Sequence, residues 1–146
     1  MTTIPAFACP DDRGLAMARV TVEVPTELVG PVRETVLLLY EASAESLHLA
    51  LKRRAAGEDV RLQRARLRAL EELTGRLERA EGPVRLTAAR DLLHDTLYGA
   101  LIDAGERLAS ASERGWRGEL PPERIKEAAE EVLALDRLLC DLDAAL

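Results

Sequence analysis

Two short stretches combine a carboxylate with a histidine, and they hold the only two histidines of the chain. Residues 45–48 are ESLH and residues 91–94 are DLLH, so each histidine follows a carboxylate by three positions. On a helix, side chains three positions apart project from the same side. A carboxylate and an imidazole presented together can bind zinc, iron or manganese. The spacing therefore raises the question of whether Glu45, His48, Asp91 and His94 form one metal site.

This arrangement resembles half of the ligand set of ferritin-like di-iron proteins. Those proteins carry such a pair on two helices of a four-helix bundle, and the other two helices supply single glutamates. The resemblance covers eight residues of this chain. It implies a metal only if the four side chains face the interior of a bundle, so the elements that carry them must be considered next.

Four stretches of the sequence have the periodicity of amphipathic helices. In each of them apolar residues recur at spacings of three, four and seven positions, which places them on one face. The stretches are bounded by prolines and glycines, and they cover residues 26–56, 60–80, 84–112 and 122–146. Four such helices with short connections predict an all-α fold, namely an antiparallel four-helix bundle.

Length and composition predict one domain with an ordinary core. A chain of 146 residues buries about 68–70% of its unfolded surface without the help of a metal or a disulfide. We expect this domain over residues 18–146, after an N-terminal arm of residues 1–17. Cys9 and Cys140 are the only cysteines, and they have no metal-ligand spacing, which favours a reducing cytoplasm.

Charge and hydropathy patterns exclude further classes of protein. No stretch approaches 18 consecutive apolar residues, and the N-terminus lacks a basic start, so we expect a cytoplasmic protein without membrane segments. The formal net charge is −6, which opposes general binding to nucleic acid. We also find no nucleophile beside a base and no phosphate-binding glycine loop, so no catalytic residue and no cofactor are predicted.

The helical faces argue against a metal site at the two histidines. Glu45 shares a polar stripe of the first helix with Glu34, Glu41 and Lys52, which predicts that it points to water. A metal-binding bundle using Glu45, His48, Asp91 and His94 therefore stays the alternative function. In the second helix Arg66 falls inside the apolar stripe, and we expect Asp91 or Asp136 of a neighbouring helix to pair with it.

Residues 18–24 have the period-two pattern of a short β-strand. Val20, Val22 and Val24 alternate with Thr21 and Glu23, and Pro25 ends the pattern. The sequence suggests no second strand, yet the backbone groups of a strand need partners. We therefore predict a twofold homodimer in which two copies pair their strands through Val20, Thr21, Val22, Glu23 and Val24.

The stretch ARVTVEVPTEL, residues 18–28, is similar to the opening of ribbon-helix-helix DNA-binding proteins. In that family paired strands enter the major groove and their outward side chains contact bases. The resemblance implies strand-mediated DNA binding as a minor alternative function. The chain departs from the family because its first helix is much longer and because Glu23 would bring negative charge towards phosphates.

The first helix carries a second apolar stripe that the predicted core does not use. Its members are Leu38, Ala42 and Leu49. Apolar side chains left outside a core are typical of a surface that binds another protein. From the sequence we therefore expect a non-enzymatic helical module that self-associates as a homodimer and can also bind another protein.

Overall fold

The computed structural model describes residues 19–144, which form four helices and one two-stranded sheet. In chain order the elements are β1 Arg19–Val24, α1 Thr26–Lys52, α2 Gly57–Glu78, β2 Val84–Ala89, α3 Arg90–Trp116 and α4 Pro122–Ala144. The four predicted helices and the predicted strand are confirmed. The predicted arm of residues 1–17 lies outside the described residues.

Strand β2 is the main difference from the prediction. The sequence predicts residues 84–89 as the start of the third helix, but they form a strand that pairs antiparallel with β1. Leu86 and Ala88 are buried, whereas Arg85 before them is exposed and Thr87 between them is half-buried, which is the alternation of a half-buried strand. Because alanine and leucine are also common in helices, six residues are too few to distinguish the two-residue period of a strand from the 3.6-residue period of a helix.

The pairing of β1 with β2 removes the reason given for a strand-paired homodimer. The register places Val22 opposite Leu86 and Val24 opposite Val84, so β1 has a partner strand within its own chain. The prediction that β1 needs a second copy was therefore wrong. Pairing of Val20, Thr21, Val22, Glu23 and Val24 between two copies stays a prediction, because one chain does not test it.

The boundaries of the helices differ slightly from the predicted ones. The sequence predicts that the first helix extends to residue 56 and that the second begins at residue 60. Instead α1 ends at Lys52, Arg54 adopts a positive φ of 56°, and Gly57 is already the first residue of α2. Helix α3 begins six residues later than predicted, because β2 precedes it, and it extends to Trp116.

A single apolar core links both strands with all four helices. Its fully buried side chains are mainly leucine and valine, and they include Val24, Leu28, Val32, Leu73, Leu93, Leu97, Leu135 and Leu142. The most extensive helix contacts join α1 to α2 and α3 to α4, and α1 also contacts α3. Leu51 and Leu62 have the spacing of the apolar stripes of the first two helices, but both are exposed.

The order and length of the elements repeat within the chain. A strand of 6 residues is followed by helices of 27 and 22 residues, and then by a strand of 6 and helices of 27 and 23. We call each half a βαα unit, with residues 19–78 as the first and 84–144 as the second. A displacement of 65 positions relates buried leucines of the two units, namely Leu28 to Leu93, Leu70 to Leu135 and Leu77 to Leu142.

The strand pairing and the contacts between elements indicate that the two βαα units are interlocked and approximately related by a twofold axis. Equivalent strands that pair antiparallel are exchanged by a local twofold rotation that keeps each side chain on its own face of the sheet, so the rotation relates the buried Val22 to the buried Leu86 opposite it, a displacement of 64 in the strands. Helix α4 of the second unit contacts β1 of the first, while α2 leads into β2 and contacts it. Arg76 of α2 donates a hydrogen bond from Nε to the Arg85 carbonyl oxygen of β2 at 3.1 Å.

Candidate interaction surface

The four residues of the predicted metal alternative do not converge on one point. Glu45, His48 and Asp91 are exposed, while His94 is half-buried and stacks on Tyr98 with 5.9 Å between ring centroids. The prediction that Glu45 points to water is confirmed. Within residues 19–144 no group of three or more histidine, cysteine, aspartate or glutamate side chains could hold a metal ion.

Arg66 has a partner on α3, but the partner is Asp95 rather than Asp91 or Asp136. Its Nη2 lies 3.3 Å from Oδ2 of Asp95, and both side chains are partly exposed. Asp91 and Asp95 are one helical turn apart on the same face of α3, so the prediction was wrong by one turn. An ion pair this exposed contributes little to stability. The structure gives Arg66 the role of pairing with Asp95 at the surface.

A cavity of about 320 Å³ adjoins this ion pair. Its walls come from α2, the outer ends of both strands and the first turn of α3, and its polar lining includes Arg19, Arg66 and Asp91. Because Arg66 is paired with Asp95, the two arginines at the opening stand beside two aspartates, and this balance favours neither an anion nor a cation. We assign no ligand to this cavity.

The outer face of the two-stranded sheet is polar. It presents Arg19, Thr21 and Glu23 of β1 beside Ala89, Thr87 and Arg85 of β2. The two threonine hydroxyls are hydrogen-bonded to each other at 2.8 Å, and Glu23 stands directly opposite Arg85. The sequence does not predict Arg85 and Thr87 on this face, because over six residues their alternation with Leu86 and Ala88 does not distinguish a strand from a helix.

The second apolar stripe of α1 lies at the surface, as the sequence predicts. Leu38 is 57% exposed and Leu49 is 38% exposed, and the exposed Ala42 lies between them. Glu41, Glu45 and Lys52 border the stripe and are exposed as well. We call Leu38, Ala42 and Leu49 the α1 stripe. It is an apolar band with a charged border, as is common at protein-binding surfaces.

The repeat shows that the fold does not require the α1 stripe. A displacement of 65 positions takes Leu38, Ala42 and Leu49 of α1 to Asp103, Arg107 and Arg114 of α3. Arg107 forms an ion pair with Glu131, and Arg114 lies 3.7 Å from Glu119. Because charged residues serve at the equivalent positions of a helix of equal length, packing alone does not explain leucines at the surface of α1.

Comparison with known proteins gives no relative for this chain. Neither family models, nor curated proteins, nor solved structures match it. Among the described residues, no helix combines the length and the apolar character that crossing a membrane demands.

Proposed function

We propose that this protein is a non-enzymatic helical module that self-associates through the α1 stripe. The observation that carries the proposal is the exposure of Leu38 and Leu49 at positions where the equivalent helix α3 has charged residues. Exposed leucines on one helical face lose unfavourable contact with water when a partner covers them. The four-helix bundle remains our interpretation of how the helices behind this surface pack.

The energy available from the α1 stripe fits a modest affinity. Full burial of one leucine is worth about 1.5–3 kcal/mol, and only part of each leucine in the stripe is exposed. Association also costs several kcal/mol in lost freedom of motion. The stripe is therefore the centre of a contact whose polar border must contribute the remaining area, and we expect dissociation in the micromolar range.

The charges along α1 favour a second copy of the same chain as the partner. Exposed Glu27, Glu34 and Glu41 lie along the first two thirds of α1 together with exposed Arg33, whereas exposed Lys52 and Arg53 lie at its C-terminal end. An antiparallel contact between two α1 helices sets the net acidic stretch of each copy against the basic end of the other. Opposite charges at the border of an interface set orientation and partner choice.

Replacing both leucines of the stripe by glutamate tests the proposal. We expect sedimentation equilibrium to show a concentration-dependent dimer for the unchanged protein, and only monomer for Leu38→Glu combined with Leu49→Glu. Four buried carboxylates in a twofold contact would oppose association strongly. Circular dichroism should remain unchanged, because both side chains are outside the core.

Leu133 provides a matched control. It is 62% exposed on α4, so Leu133→Glu adds the same charge at a comparably exposed leucine away from the stripe and should leave the dimer intact. A protein that sediments as a monomer at every concentration, or a dimer that survives both substitutions in α1, contradicts the proposal.

Strand-mediated DNA binding is the second candidate function, and the sheet itself favours it. Two antiparallel strands with polar outward side chains have the dimensions to enter a major groove. Thr21 and Thr87 lie at the centre of the outer face, and Arg19 and Arg85 lie on either side. Glu23 on the same face and the net charge of −6 oppose contact with phosphates.

A titration of labelled duplex DNA separates this candidate from self-association. If the sheet binds DNA, fluorescence anisotropy should rise with protein and the affinity should fall steeply as salt is raised. Arg85→Ala should then weaken binding, while Leu133→Ala should not. Absence of any salt-sensitive binding removes DNA as a partner and leaves the α1 stripe unaffected.

A further inference from the structure

We infer that the chain is a covalently joined pair of βαα units, and that the surface between the units recognises the complementary unit of a second copy. The partner is thus a βαα unit, and the recognising surface is formed by the strands, by the faces of α1 and α3 that meet, and by α4 against β1. This surface is distinct from the α1 stripe.

The strand pairing is the first part of this recognition surface. Six residue pairs join β1 to β2, from Arg19 opposite Ala89 to Val24 opposite Val84. Each strand belongs to a different unit, so every hydrogen bond of the sheet crosses between units. Neither unit contains another strand among the described residues, and the edge that each strand offers can be satisfied only from outside its own unit.

The helix contact is the second part of the surface. Thr35 of α1 is buried, and its Cγ2 atom lies so close to Gly99 of α3 that a Cβ on Gly99 would stand 2.9 Å away. Positions 34 and 99 are equivalent under the displacement of 65, so this approach lies beside the twofold axis. The same faces of two equivalent helices thus meet at short distance, as in the twofold interface of a dimer.

Interlocking gives the surface its specificity. Helix α4 of the second unit contacts β1 of the first, and Arg76 of α2 in the first unit donates a hydrogen bond to the Arg85 carbonyl oxygen of β2 in the second at 3.1 Å. Val22, Val24, Leu86 and Leu135 are buried in a core to which both units contribute. A unit alone would expose this apolar surface, which drives it towards a complementary unit.

Only the connection of residues 79–83 holds the units in one chain. Arg79, Glu81 and Pro83 are exposed in it, so a cut here removes none of the buried contacts described above. The two units that share one core can therefore come from the same chain or from two different chains. This is what an exchange of units between copies requires.

Cleavage of the full chain at this connection tests the inference. A protease site is inserted between Glu81 and Gly82, and the protein is cut, unfolded in urea and refolded by dilution. Equal amounts of unlabelled and isotope-labelled cut protein are refolded together, and complexes are weighed by native mass spectrometry. We expect helical circular dichroism to return and hybrids to make up half of the complexes, as random pairing requires.

A cut inside one unit is the matched control. The same site between Gly118 and Glu119 separates α4 from α3 in an exposed turn. Because it divides a unit instead of separating two, we expect several-fold poorer recovery of the refolded complex. Equal recovery from both cuts, or fragments that stay apart after the cut at residue 81, overturns the inference.

Both cuts are made in the variant that carries Leu38→Glu and Leu49→Glu. The α1 stripe is blocked in this background, so any hybrid must form through the surface between units. Failure of the α1 stripe to associate copies would leave this result unchanged. Failure of the units to recombine would likewise leave the sedimentation of the uncut protein unchanged.

Discussion

Arg54 ends α1 in a backbone conformation that favours glycine. Its φ is 56°, which lies in the left-handed region, and Ala55 next to it donates a hydrogen bond to the Ala50 carbonyl oxygen at 2.9 Å. This is the geometry that usually places glycine after a helix. A residue with a Cβ pays roughly 1–2 kcal/mol there, so Arg54 is a site where local strain is stored.

Arg54→Gly should stabilise the protein. Relief of the strain outweighs the greater freedom of glycine in the unfolded chain, and we expect the free energy of unfolding to rise by about 0.5–1 kcal/mol. Urea denaturation at one fixed protein concentration measures the change.

Arg53 supplies the control for this substitution. Its φ of −84° is ordinary for any residue, so Arg53→Gly should lower the free energy of unfolding by about 0.5–1 kcal/mol. Equal effects of the two substitutions would show that the conformation of Arg54 carries no strain.

At the level of elements, the sequence predicts helices better than strands. All four helices have long apolar stripes that identify them, and only their ends moved. Strand β2 has six residues, too few to repeat its apolar pattern several times. Its Leu86 and Ala88 therefore fit a helical spacing nearly as well as an alternating one. Residues 84–89 form a strand because they pair with the edge of β1, and the paired residues are 60 to 70 positions apart in the sequence. No local pattern contains that contact.

The crossing of α1 and α3 depends on the absence of a side chain at Gly99. Gly99→Ala places a methyl group 2.9 Å from Thr35 Cγ2. Overpacking of a close helix contact costs about 1–3 kcal/mol, which exceeds the gain of about 1 kcal/mol in helix propensity. We therefore expect a net loss of about 1 kcal/mol in the free energy of unfolding by urea denaturation.

Two companion variants test the cause of that loss. Gly105→Ala lies on the same helix with nothing near its added Cβ, so it should gain up to about 1 kcal/mol. Thr35→Ser removes the clashing methyl group while keeping the hydroxyl that bonds to the Pro31 carbonyl oxygen, and it should rescue Gly99→Ala. If Gly99→Ala is as favourable as Gly105→Ala, the two helices are not in close contact.

At the scale of the whole molecule, the candidate surface was predictable and the symmetry was not. Leu38 and Leu49 were left over once the apolar stripe of α1 had been assigned, and both are exposed. The repeat is visible in the lengths of the elements and in the positions of their buried residues, and not in a repeated stretch of identical residues. The tetrapeptide GPVR occurs at residues 30–33 and 82–85, but its spacing is not the structural displacement of 65, so this match is a coincidence.

The twofold relation makes a last prediction, because it places the end of α4 near the start of β1. Five residues, 79–83, join the end of α2 to the start of β2. By the twofold relation, the end of α4 lies as close to the start of β1 as the end of α2 lies to the start of β2. Asp143 near the end of α4 is indeed paired with Arg90, next to the Ala89 that pairs with Arg19. A link of equal length should therefore connect Ala144 to Arg19 without strain.

A circular permutant that starts at Gly82, passes through such a link and ends at Glu81 should fold like residues 19–144 in native order. Every strand pair and core contact is retained in it, so we expect equal helical circular dichroism and a midpoint of urea unfolding close to that of the unpermuted chain. Loss of cooperative unfolding in the permutant would mean that the end of α4 does not lie beside β1. The order of the two βαα units along the chain would then matter to the fold, which a true twofold arrangement does not allow.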